Sequence, residues 1–450
     1  SSLVPLDLSE VITIGWHLST PHAVWGAVTI KARSALLSIT PHCVWGAGCT
    51  LFSVSKKRAL NSCHCFTLFL HFHLPLLTAD YMNRRKNIDV DLLTRIGDLW
   101  RCLHNKNGLL KLINVALEAL YGEKVRPVSM AQLNKSAYSS LNPERYRTFQ
   151  IPKKKKGEFR TIDAPEPTLM YIQQGLNLVL QTVHAPHQAA TGFVPRRSVV
   201  TGARMHLGQR IVYKIDLKDF FHSISSGRLC KRLMTKPFCL NHEVASLITD
   251  LCCHSDGNGK SVLPMGAPTS PTVTNIICER MDRKLASLAK AYGLKYSRYA
   301  DDITFSGMGN VFKDDSRFIV SLHNIIEKEE GFTINPDKTR LCHRGMRQEV
   351  TGLTVNDKEN VSRKYVKQLR TMLHNWEMDG HDRAQATFER HYAPKYIRPA
   401  GGPPPVHHIE NVISGKLLYL KMIKGETDST YRSLDRRFKA LLNQMNNGNI

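Results

Sequence analysis

The amino-acid sequence predicts an α+β fold, with helical segments towards both ends of the chain and strands between them. From Ile88 to Leu103, and again from Leu109 to Leu120, apolar residues recur at helical spacing with charged residues between them. The central segments Arg210–Leu217, Lys295–Ser306 and Glu349–Val355 are instead rich in β-branched and aromatic residues, as strands are. A chain that combines these helices with these strands is predicted to be α+β.

The remaining elements are predicted in chain order from the same two patterns. Phe149–Pro152 and Phe159–Ile162 flank a turn that contains four lysines, Lys153 to Lys156, which predicts a β-hairpin with a basic tip. Residues 168–182 return to helical spacing. Three further helical segments and one Gly/Pro-rich linker complete the chain: Ser362–Trp376, the linker Gly401–Pro405, Leu417–Lys424 and Tyr431–Leu442.

Composition and charge narrow the class of protein. The chain has 450 residues, of which 42% are apolar, so a core can form and wholesale disorder is excluded. Its 62 Lys and Arg against 38 Asp and Glu give a net charge of +24, which favours nucleic acid as partner and a membrane surface second. The longest apolar run, Phe66–Leu77, is shorter than the roughly 20 residues that span a bilayer. We therefore expect a cytoplasmic protein without a membrane partner, whose eleven scattered cysteines stay reduced.

The first 81 residues differ from the rest. The first methionine is Met82, and only three acidic residues precede it. Thr20–Ala27 and Thr40–Ala47 form an imperfect repeat, but two copies are too few for a solenoid. The spacings within Cys63–His73 match no zinc-site pattern that we can defend. Our hypothesis is that residues 1–81 are an upstream extension, non-native or disordered, and that the functional protein starts at Met82.

Two acidic sites lie on apolar strands. Asp216 follows Ile211–Ile215, and the adjacent Asp301 and Asp302 precede Ile303–Phe305. Adjacent aspartates are poor strand formers and repel each other, so such a hairpin usually holds a divalent cation. Three carboxylates on adjoining strands can hold two hard cations such as Mg²⁺ about 4 Å apart, as in-line phosphoryl transfer requires. Taken alone, the Asp301–Asp302 pair could also be a simple polar turn.

The context of these carboxylates resembles the reverse transcriptases. Tyr299-Ala300-Asp301-Asp302 resembles their YxDD box, and Asp216 to Phe221 their first acidic motif, an Asp followed five residues later by an aromatic residue. Two further motifs follow the family order: Leu263–Pro271 with Asn275, similar to PQGxPxSP, and Gly331–Asn335 with Lys338. The resemblance covers roughly residues 145–360. It implies a right-hand polymerase, with fingers at 82–210, an antiparallel palm sheet with packed helices at 211–356, and a helical thumb at 357–450.

Within that family, the bacterial retron enzymes fit best. Val350-Thr351-Gly352 resembles their VTG element, and the segment ending at His206 resembles their NAxxH element. Two positions depart from the pattern: Gly202 replaces the Asn of that element, and Met265 stands where the family has Gln. A Met can pack against a nucleotide but cannot hydrogen-bond to it, which puts nucleotide affinity or fidelity in question.

The resemblance also implies roles for individual residues. The implied ligands of two Mg²⁺ ions, with Mn²⁺ as the alternative, are Asp216, Leu217, Asp301 and Asp302. The three aspartates are also the implied catalytic residues. The implied nucleotide-binding residues are Lys153, Arg160, Asp219, Phe221, Met265, Gly266 and Lys338. Among these, Phe221 would crowd a ribose 2′-hydroxyl and Lys338 would protonate the leaving pyrophosphate. Solvated surface charges remain the alternative for Lys153, Arg160 and Lys338.

The implied partners are dNTPs, a structured non-coding RNA that serves as template and primer, and the RNA–DNA product. The implied RNA-binding residues are His206, Val350, Thr351, Gly352, Arg363, Lys364, Lys367 and Arg370. The last four lie on one predicted helix, for which an ordinary solvated basic face remains the alternative. Synthesis would begin at an RNA 2′-hydroxyl and give RNA-linked single-stranded DNA, with an effector protein and a role in antiphage defence implied by the family. A group II intron-like reverse transcriptase and a catalytically silent RNA-binding protein of the same fold are the alternatives.

Overall fold

A computed structural model describes most of the chain beyond residue 88. The described residues are 28–32, 35–39, 88, 90–152, 158–255, 259–392 and 408–447. The chain divides into two units, residues 1–68 and 69–450. In the first unit, strands β1 (Val28–Ala32) and β2 (Ala35–Ile39) pair as an antiparallel hairpin. The rest of the predicted 1–81 extension, with its repeat and its Cys/His segment, lies outside the described residues.

Helices and strands of the second unit follow one another in a mixed order. The helices are α1 Val90–Arg101, α2 Lys106–Tyr121, α3 Met130–Ala137, α4 Pro167–Val183, α5 Val199–Arg204, α6 Ser226–Met234, α7 His242–Cys252, α8 Ser270–Ala291, α9 Arg317–His323, α10 Arg363–Asp379, α11 His381–Tyr392, α12 Ile409–Lys424 and α13 Ser429–Asn447, with a 3₁₀ turn at Gly122–Lys124 and a π-helical turn at Asn324–Glu329. The strands are β3 Tyr146–Pro152, β4 Phe159–Pro165, β5 Ile211–Lys218, β6 His254–Ser255, β7 Ser261–Val262, β8 Lys295–Tyr299, β9 Asp302–Gly307, β10 Thr333–His343, β11 Glu349–Val350 and β12 Leu353–Thr354.

Side-chain caps fix where several of these helices begin. The side chains of Asn105, Ser129, Asn241, Ser316 and Ser362 each accept a hydrogen bond from a backbone N–H in the first turn of the helix that follows. These N–H groups have no partner within the helix, so a Ser or Asn at this position stabilises the helix end, typically by about 1 kcal/mol. Local sequence therefore sets these starts.

A four-stranded antiparallel sheet lies at the centre of the second unit, in the order β10-β5-β9-β8. In β5, Ile211, Ile215 and Leu217 point into a large core that also includes helices α2, α4 and α8. Val212 alternates to the other face and packs in a second core, formed mainly by residues of β11, β12 and helices α10–α13. Asp216, the predicted catalytic carboxylate of β5, lies on this second face of the strand.

The structure confirms the predicted α+β class and most elements of the second unit. β3 and β4 pair antiparallel over Tyr146–Pro152 and Phe159–Pro165, as the predicted hairpin requires, while its lysine tip lies outside the described residues. The predicted strand Lys295–Ser306 is interrupted at Ala300, whose φ of +56° turns the chain back on itself and separates β8 from β9. The predicted linker Gly401–Pro405 lies outside the described residues. Among the residues that the structure describes, no helix is long and apolar enough to cross a membrane.

Candidate active site

The carboxylates predicted from sequence meet on the central strands. Asp216 of β5 and Asp302 of β9 are directly opposite each other in the antiparallel register, and Asp301 lies in the turn that leads into β9. Asp216 is only 7% exposed. Paired residues of an antiparallel sheet point to the same face, so both side chains project from the side that also carries Val212.

The turn before Asp301 is held in place by buried polar groups. Ala300 adopts a left-handed φ of +56°, which is strained for a residue with a side chain. The fully buried guanidinium of Arg298 donates to the Ala300 carbonyl at 3.1 Å and makes a bidentate ion pair with Asp282 of α8, with both distances 2.7 Å. The backbone N–H of Leu217 donates to the Asp301 carbonyl at 3.2 Å. These contacts tie the turn to both the helix and the neighbouring strand.

A glycine packs against the same turn. A Cβ atom on Gly192 would lie 2.9 Å from the backbone nitrogen of Ala300 and 3.2 Å from the Tyr299 backbone. The Gly192 carbonyl accepts a hydrogen bond from the Asn275 side chain at 3.0 Å, and the oxygen of that side chain in turn accepts one from Arg298 at 3.0 Å. Backbone therefore approaches backbone directly behind the acidic turn, which only glycine allows.

The electrostatics of the site fit a cation. Burial, together with the neighbouring charges of Asp302 and Asp216, raises the pKa of Asp301 to about 6, although a backbone hydrogen bond and the charge of Lys338 lower it. Burial likewise raises the pKa of Asp302, although Lys214 acts in the opposite direction. The Lys338 ammonium lies 2.9 and 3.0 Å from the two Asp216 carboxylate oxygens. A positive charge is thus already placed on these oxygens, and oxygen ligands are those that Mg²⁺ prefers.

The carboxylates are not a ready-made chelating group, however. Within the described ranges, no three His, Cys, Asp or Glu side chains are arranged to hold a metal ion as they stand. The side chain of Leu217 is buried and apolar, so only its backbone could serve as a ligand. The predicted grouping of Asp216, Asp301 and Asp302 is therefore present as neighbouring positions on two strands and a turn, and the predicted metal ligation stays a prediction.

The predicted nucleotide-binding residues lie around the end of β5. Arg160 is exposed on β4, and Asp219 is exposed just after β5 with a left-handed φ of +47°. Phe221 is half-buried against Phe220, with ring centroids 5.6 Å apart. Lys153 lies outside the described residues. Their roles stay predictions, and Asp219 and Phe221 follow Asp216 directly at the C-terminal end of β5.

Gly266 has a second reason to be glycine besides the predicted approach to a nucleotide. Its φ is +136°, and a Cβ there would lie 2.8 Å from the Asp163 carbonyl of β4. The preceding Met265 accepts a hydrogen bond from the Asp163 backbone N–H at 2.8 Å. This loop therefore docks directly on the strand that carries Arg160.

A histidine that sequence reasoning missed joins the same two regions. The ring nitrogens of His222 lie 3.1 Å from Asp219 and 3.1 Å from Asp163, which is buried and also accepts from Thr148 at 2.9 Å. The hydrogen bond to Asp163 raises the pKa of His222, and Asp219 adds to this against the effect of burial. Burial would raise the pKa of Asp163, but the hydrogen bonds from His222 and Thr148 lower it below its usual value.

Comparison with known proteins agrees with this geometry. A family model described as reverse transcriptase (RNA-dependent DNA polymerase) matches residues 151–375, half of the chain. Retron Ec86 reverse transcriptase of Escherichia coli is 32% identical over 51% of this chain and 70% of its own length. The chain belongs to the reverse transcriptase family. Its relatives place it among the bacterial retron enzymes, and they include Retron Mx65 reverse transcriptase of Myxococcus xanthus, 38% identical over 51% of this chain and 55% of its own length.

The matches are partial. The chain spans about half the length of the two Myxococcus xanthus relatives that it matches, Retron Mx65 and Retron Mx162 reverse transcriptase. Among solved structures, telomerase from Candida albicans in complex with a telomeric RNA fragment aligns at 14% identity over 66% of this chain and 63% of its own, with a TM-score of 0.35. That alignment is too loose to add to the family assignment.

Two of the predicted RNA-binding residues have buried side chains, and their predicted role in RNA binding stays a prediction. His206 is fully buried, and its ring nitrogens lie 2.7 Å from the hydroxyls of Ser306 and Ser297. Burial lowers the pKa of His206 to about 3, so the ring is neutral, and it fixes the segment after α5 to strands β8 and β9. Val350 is also fully buried and packs in the second core. Neither side chain reaches the surface, because Val350 is packed in the second core and His206 is enclosed against β8 and β9.

The other predicted RNA contacts are accessible. Thr351 and Gly352 form a turn with left-handed φ values of +48° and +84°, and the Thr351 hydroxyl donates to the Val199 carbonyl at 3.0 Å. The basic helix α10 exposes all four predicted cations, Arg363, Lys364, Lys367 and Arg370. Leu369, Met372, Leu373 and Trp376 of the same helix are buried in the second core. The predicted division of this helix into a packed seam and a basic face is confirmed, and RNA binding by that face stays a prediction.

The departure from the family at Gly202 has a structural reason. A Cβ on Gly202 would lie 2.8 Å from the hydroxyl of Thr191, so a larger residue in α5 would displace that side chain. Thr191 in turn donates its backbone N–H to the Arg298 carbonyl at 2.7 Å. No signal in a single sequence reveals this contact, because the two residues belong to different elements.

Proposed function

We propose that the chain is an RNA-directed DNA polymerase that copies a structured non-coding RNA into RNA-linked single-stranded DNA from a 2′-hydroxyl of that RNA. The observation that carries the proposal is the opposition of Asp216 and Asp302 across β5 and β9, with Asp301 in the adjoining turn, in a member of the retron reverse transcriptases. Fingers at 82–210, a palm at 211–356 and a thumb at 357–450 are proposed on the same basis. The buried apolar residues of helices α10–α13 all belong to the second core, which supports the proposed thumb.

Asp216, Asp301, Asp302 and the Leu217 backbone are the proposed ligands of divalent cations, Mg²⁺ or Mn²⁺. When bound, such ions would stabilise the charge that develops on the transferring phosphoryl group. Arg160 and Asp219, with the Gly266 loop, would receive the dNTP on the C-terminal side of β5. Phe221 would lie under its sugar and exclude a ribose 2′-hydroxyl, and Met265 would pack against the base.

Lys338 and the basic helix have different proposed tasks. The Lys338 ammonium hydrogen-bonds to Asp216 and is our candidate proton donor to the leaving pyrophosphate. Arg363, Lys364, Lys367 and Arg370 would contact the phosphate backbone of the template duplex, which positions the strand without reading its sequence. Thr351 and Gly352 are the remaining candidates for recognising the cognate RNA. An effector partner, antiphage defence and a cytoplasmic location are proposed from the family alone.

Primer extension on an RNA template tests the activity. Asp301→Asn removes one carboxylate charge with almost no change in volume, so we expect DNA synthesis to fall at least about 100-fold. This follows because cation stabilisation is worth several kcal/mol and about 1.4 kcal/mol corresponds to tenfold in rate. RNA binding, measured by filter retention, should be unchanged. Asp315→Asn, at an exposed position before α9, removes the same charge elsewhere and should leave synthesis intact.

Two results would contradict the proposal. Normal synthesis by Asp301→Asn would show that the carboxylate is not part of the reaction. Tight binding of the RNA without any DNA synthesis by the wild-type protein, at every divalent ion tested, would favour a catalytically silent RNA-binding protein on this fold.

A further inference from the structure

Two cations face each other on the sheet beside the carboxylates. Lys214 of β5 and Arg340 of β10 are directly opposite in the antiparallel register, next to the row that contains Asp216. Because side chains alternate along a strand, Lys214 projects from the same face as Asp216, two residues away. The register shifts between Asn335 and Arg340, and this irregularity brings Lys338 onto Asp216 from the same strand.

Like charges directly opposite on neighbouring strands are destabilising. Neither Lys214 nor Arg340 has an ion-pair partner within 4 Å in the described part of the chain. The Arg340 guanidinium donates one hydrogen bond there, to the Thr339 carbonyl at 2.8 Å. Lys214 acts on Asp302 only through its charge. Asp216, two residues from Lys214 along β5, is already paired with Lys338. The fold therefore holds two opposed positive charges without a matched anion.

A cavity opens at this position. It has a volume of about 300 Å³ and is lined by Lys214, Ile215, Asp216, Asp302, Lys338 and Arg340. It thus contains the opposed cations and two of the carboxylates in one space. A guanidinium and an ammonium together suit a phosphate group, because Arg offers a planar pair of donors and Lys a compact point charge.

The position along β5 distinguishes which phosphate fits. The residues proposed for the dNTP, Asp219 and Phe221, follow Asp216, whereas Lys214 precedes it. Further back on the same face, Val212 packs in the second core with the C-terminal helices. In-line transfer places the attacking hydroxyl and the leaving pyrophosphate on opposite sides of the phosphorus. Of the cations that line the cavity, Lys338 contacts Asp216 itself, whereas Lys214 and Arg340 lie further from the residues proposed for the dNTP and therefore face the attacking strand.

We propose that Lys214 and Arg340 form a subsite for a phosphodiester of the strand that supplies the attacking hydroxyl. The proposal deepens the proposed polymerase function and rests on it for the identity of that strand. An internal 2′-hydroxyl differs from a free 3′ end because its nucleotide keeps a phosphodiester on its 3′ side as well. The subsite gives that additional phosphate a place next to the reacting centre.

The test measures binding without divalent ions, so it does not depend on catalysis. Fluorescence anisotropy in EDTA would follow a primer–template duplex binding to the wild type, to Lys214→Gln and to Arg340→Gln across a range of salt. Each lost phosphate contact should lower the slope of log affinity against log salt by about 0.7 to 0.9. Lys313→Gln is the matched control, because neighbouring Phe312 packs on Tyr213, which projects from the opposite face of β5.

A neutral methylphosphonate in the primer identifies the phosphate. Replacing the phosphodiester next to the attacking nucleotide should weaken wild-type binding, and should weaken binding by the Lys214 and Arg340 variants much less, as a double-mutant cycle requires for a direct contact. Equal losses in all proteins would overturn the proposal. Inhibition by free pyrophosphate separates the other source: a higher inhibition constant in the variants with unchanged primer binding would assign the cations to the leaving group and refute the strand subsite.

Failure of the proposed function gives a different result. If the wild type made no DNA but the methylphosphonate cycle still showed coupling, the subsite would stand and polymerisation would be wrong. If DNA synthesis proceeded normally and the cycle showed no coupling, the subsite alone would be wrong. A 2′-primed RNA should show the larger loss in the variants, because it presents two phosphodiesters at the attacking nucleotide.

Discussion

Replacing Gly192 with alanine tests how tightly the acidic turn is held. The new Cβ would lie 2.9 Å from the Ala300 nitrogen, whereas ordinary van der Waals contact begins at 3.4 Å. The obstacle is backbone rather than a flexible side chain, so the turn before Asp301 must move by about 0.5 Å. The Arg298 hydrogen bond to the Ala300 carbonyl, now 3.1 Å, limits how freely it can do so.

The expected magnitude follows from that displacement. A misplacement of about 1 Å can cost roughly 100-fold in rate, so a shift of half that size should lower kcat about tenfold. Overpacking should also cost about 1–3 kcal/mol of stability. Steady-state incorporation of a single dNTP gives kcat and KM, and chemical denaturation gives the free energy of unfolding. We expect the loss in kcat, with KM for the dNTP little changed, because Gly192 lies behind the turn rather than in the nucleotide pocket.

Gly227→Ala is the matched control. It makes the same chemical change in helix α6, where no atom lies within 4 Å of the added Cβ, so rate and stability should both be retained. A Gly192→Ala protein that folds normally and incorporates dNTPs at the wild-type rate would refute the reasoning. A rise in KM for the dNTP together with the fall in kcat would place Gly192 in nucleotide binding instead.

Three further predictions concern other contacts of the site. Arg298→Met leaves the buried carboxylate of Asp282 without its cationic partner and should cost about 3–5 kcal/mol in chemical denaturation. Adding Asp282→Leu should restore only part of this stability, because the Tyr296 hydroxyl then loses its acceptor, and should not restore the incorporation rate, since the Ala300 carbonyl still lacks its donor. His222→Gln tests the raised pKa of His222. The charged ring stabilises the fold below its unfolded pKa of about 6.5 and loses this effect as pH rises through the higher folded pKa. The difference in Tm from the wild type should therefore be largest below pH 6.5 and shrink above it, and a constant difference would exclude a titrating contact. Phe221→Ala should raise ribonucleotide incorporation, because the ring would no longer clash with the ribose 2′-hydroxyl. A clash of about 2–3 kcal/mol corresponds to a roughly 30- to 150-fold change in the ratio of kcat/KM for deoxyribonucleotides and ribonucleotides. An unchanged ratio would make Phe221 a core residue only.

Local sequence was sufficient for the acidic positions and for about half of the elements; helices α3, α5–α9 and α11 and strand β10 were not predicted. Asp216 and Asp302 lie on strands whose β-branched neighbours are visible in the sequence, and family spacing orders the motifs along the chain. Helix α10 begins at Arg363 after the capping residue Ser362, where its helical periodicity also starts. These features depend on residues close in sequence, so a single chain reveals them.

Contacts between distant segments could not be predicted in this way. The resemblance marked His206 as an RNA contact, but motif letters do not report burial, and only the fold shows two serine hydroxyls closing on its ring. The burial of Val350 in the second core was not predicted for the same reason. The opposition of Lys214 and Arg340 depends on the register of β5 with β10 beyond an irregularity, which no periodicity specifies.

The charges of the site form two rows of opposed like charges on one sheet face. Asp216 and Asp302 oppose each other in one row, and Lys214 and Arg340 do so in the next. Each pair is unfavourable by itself, and the buried Arg298–Asp282 ion pair is needed to hold the turn beside them. A folded core can carry such positions when they serve a reaction. Negative positions suited to cations, next to positive positions suited to phosphate, match the two kinds of charge that a nucleotidyl transfer brings together.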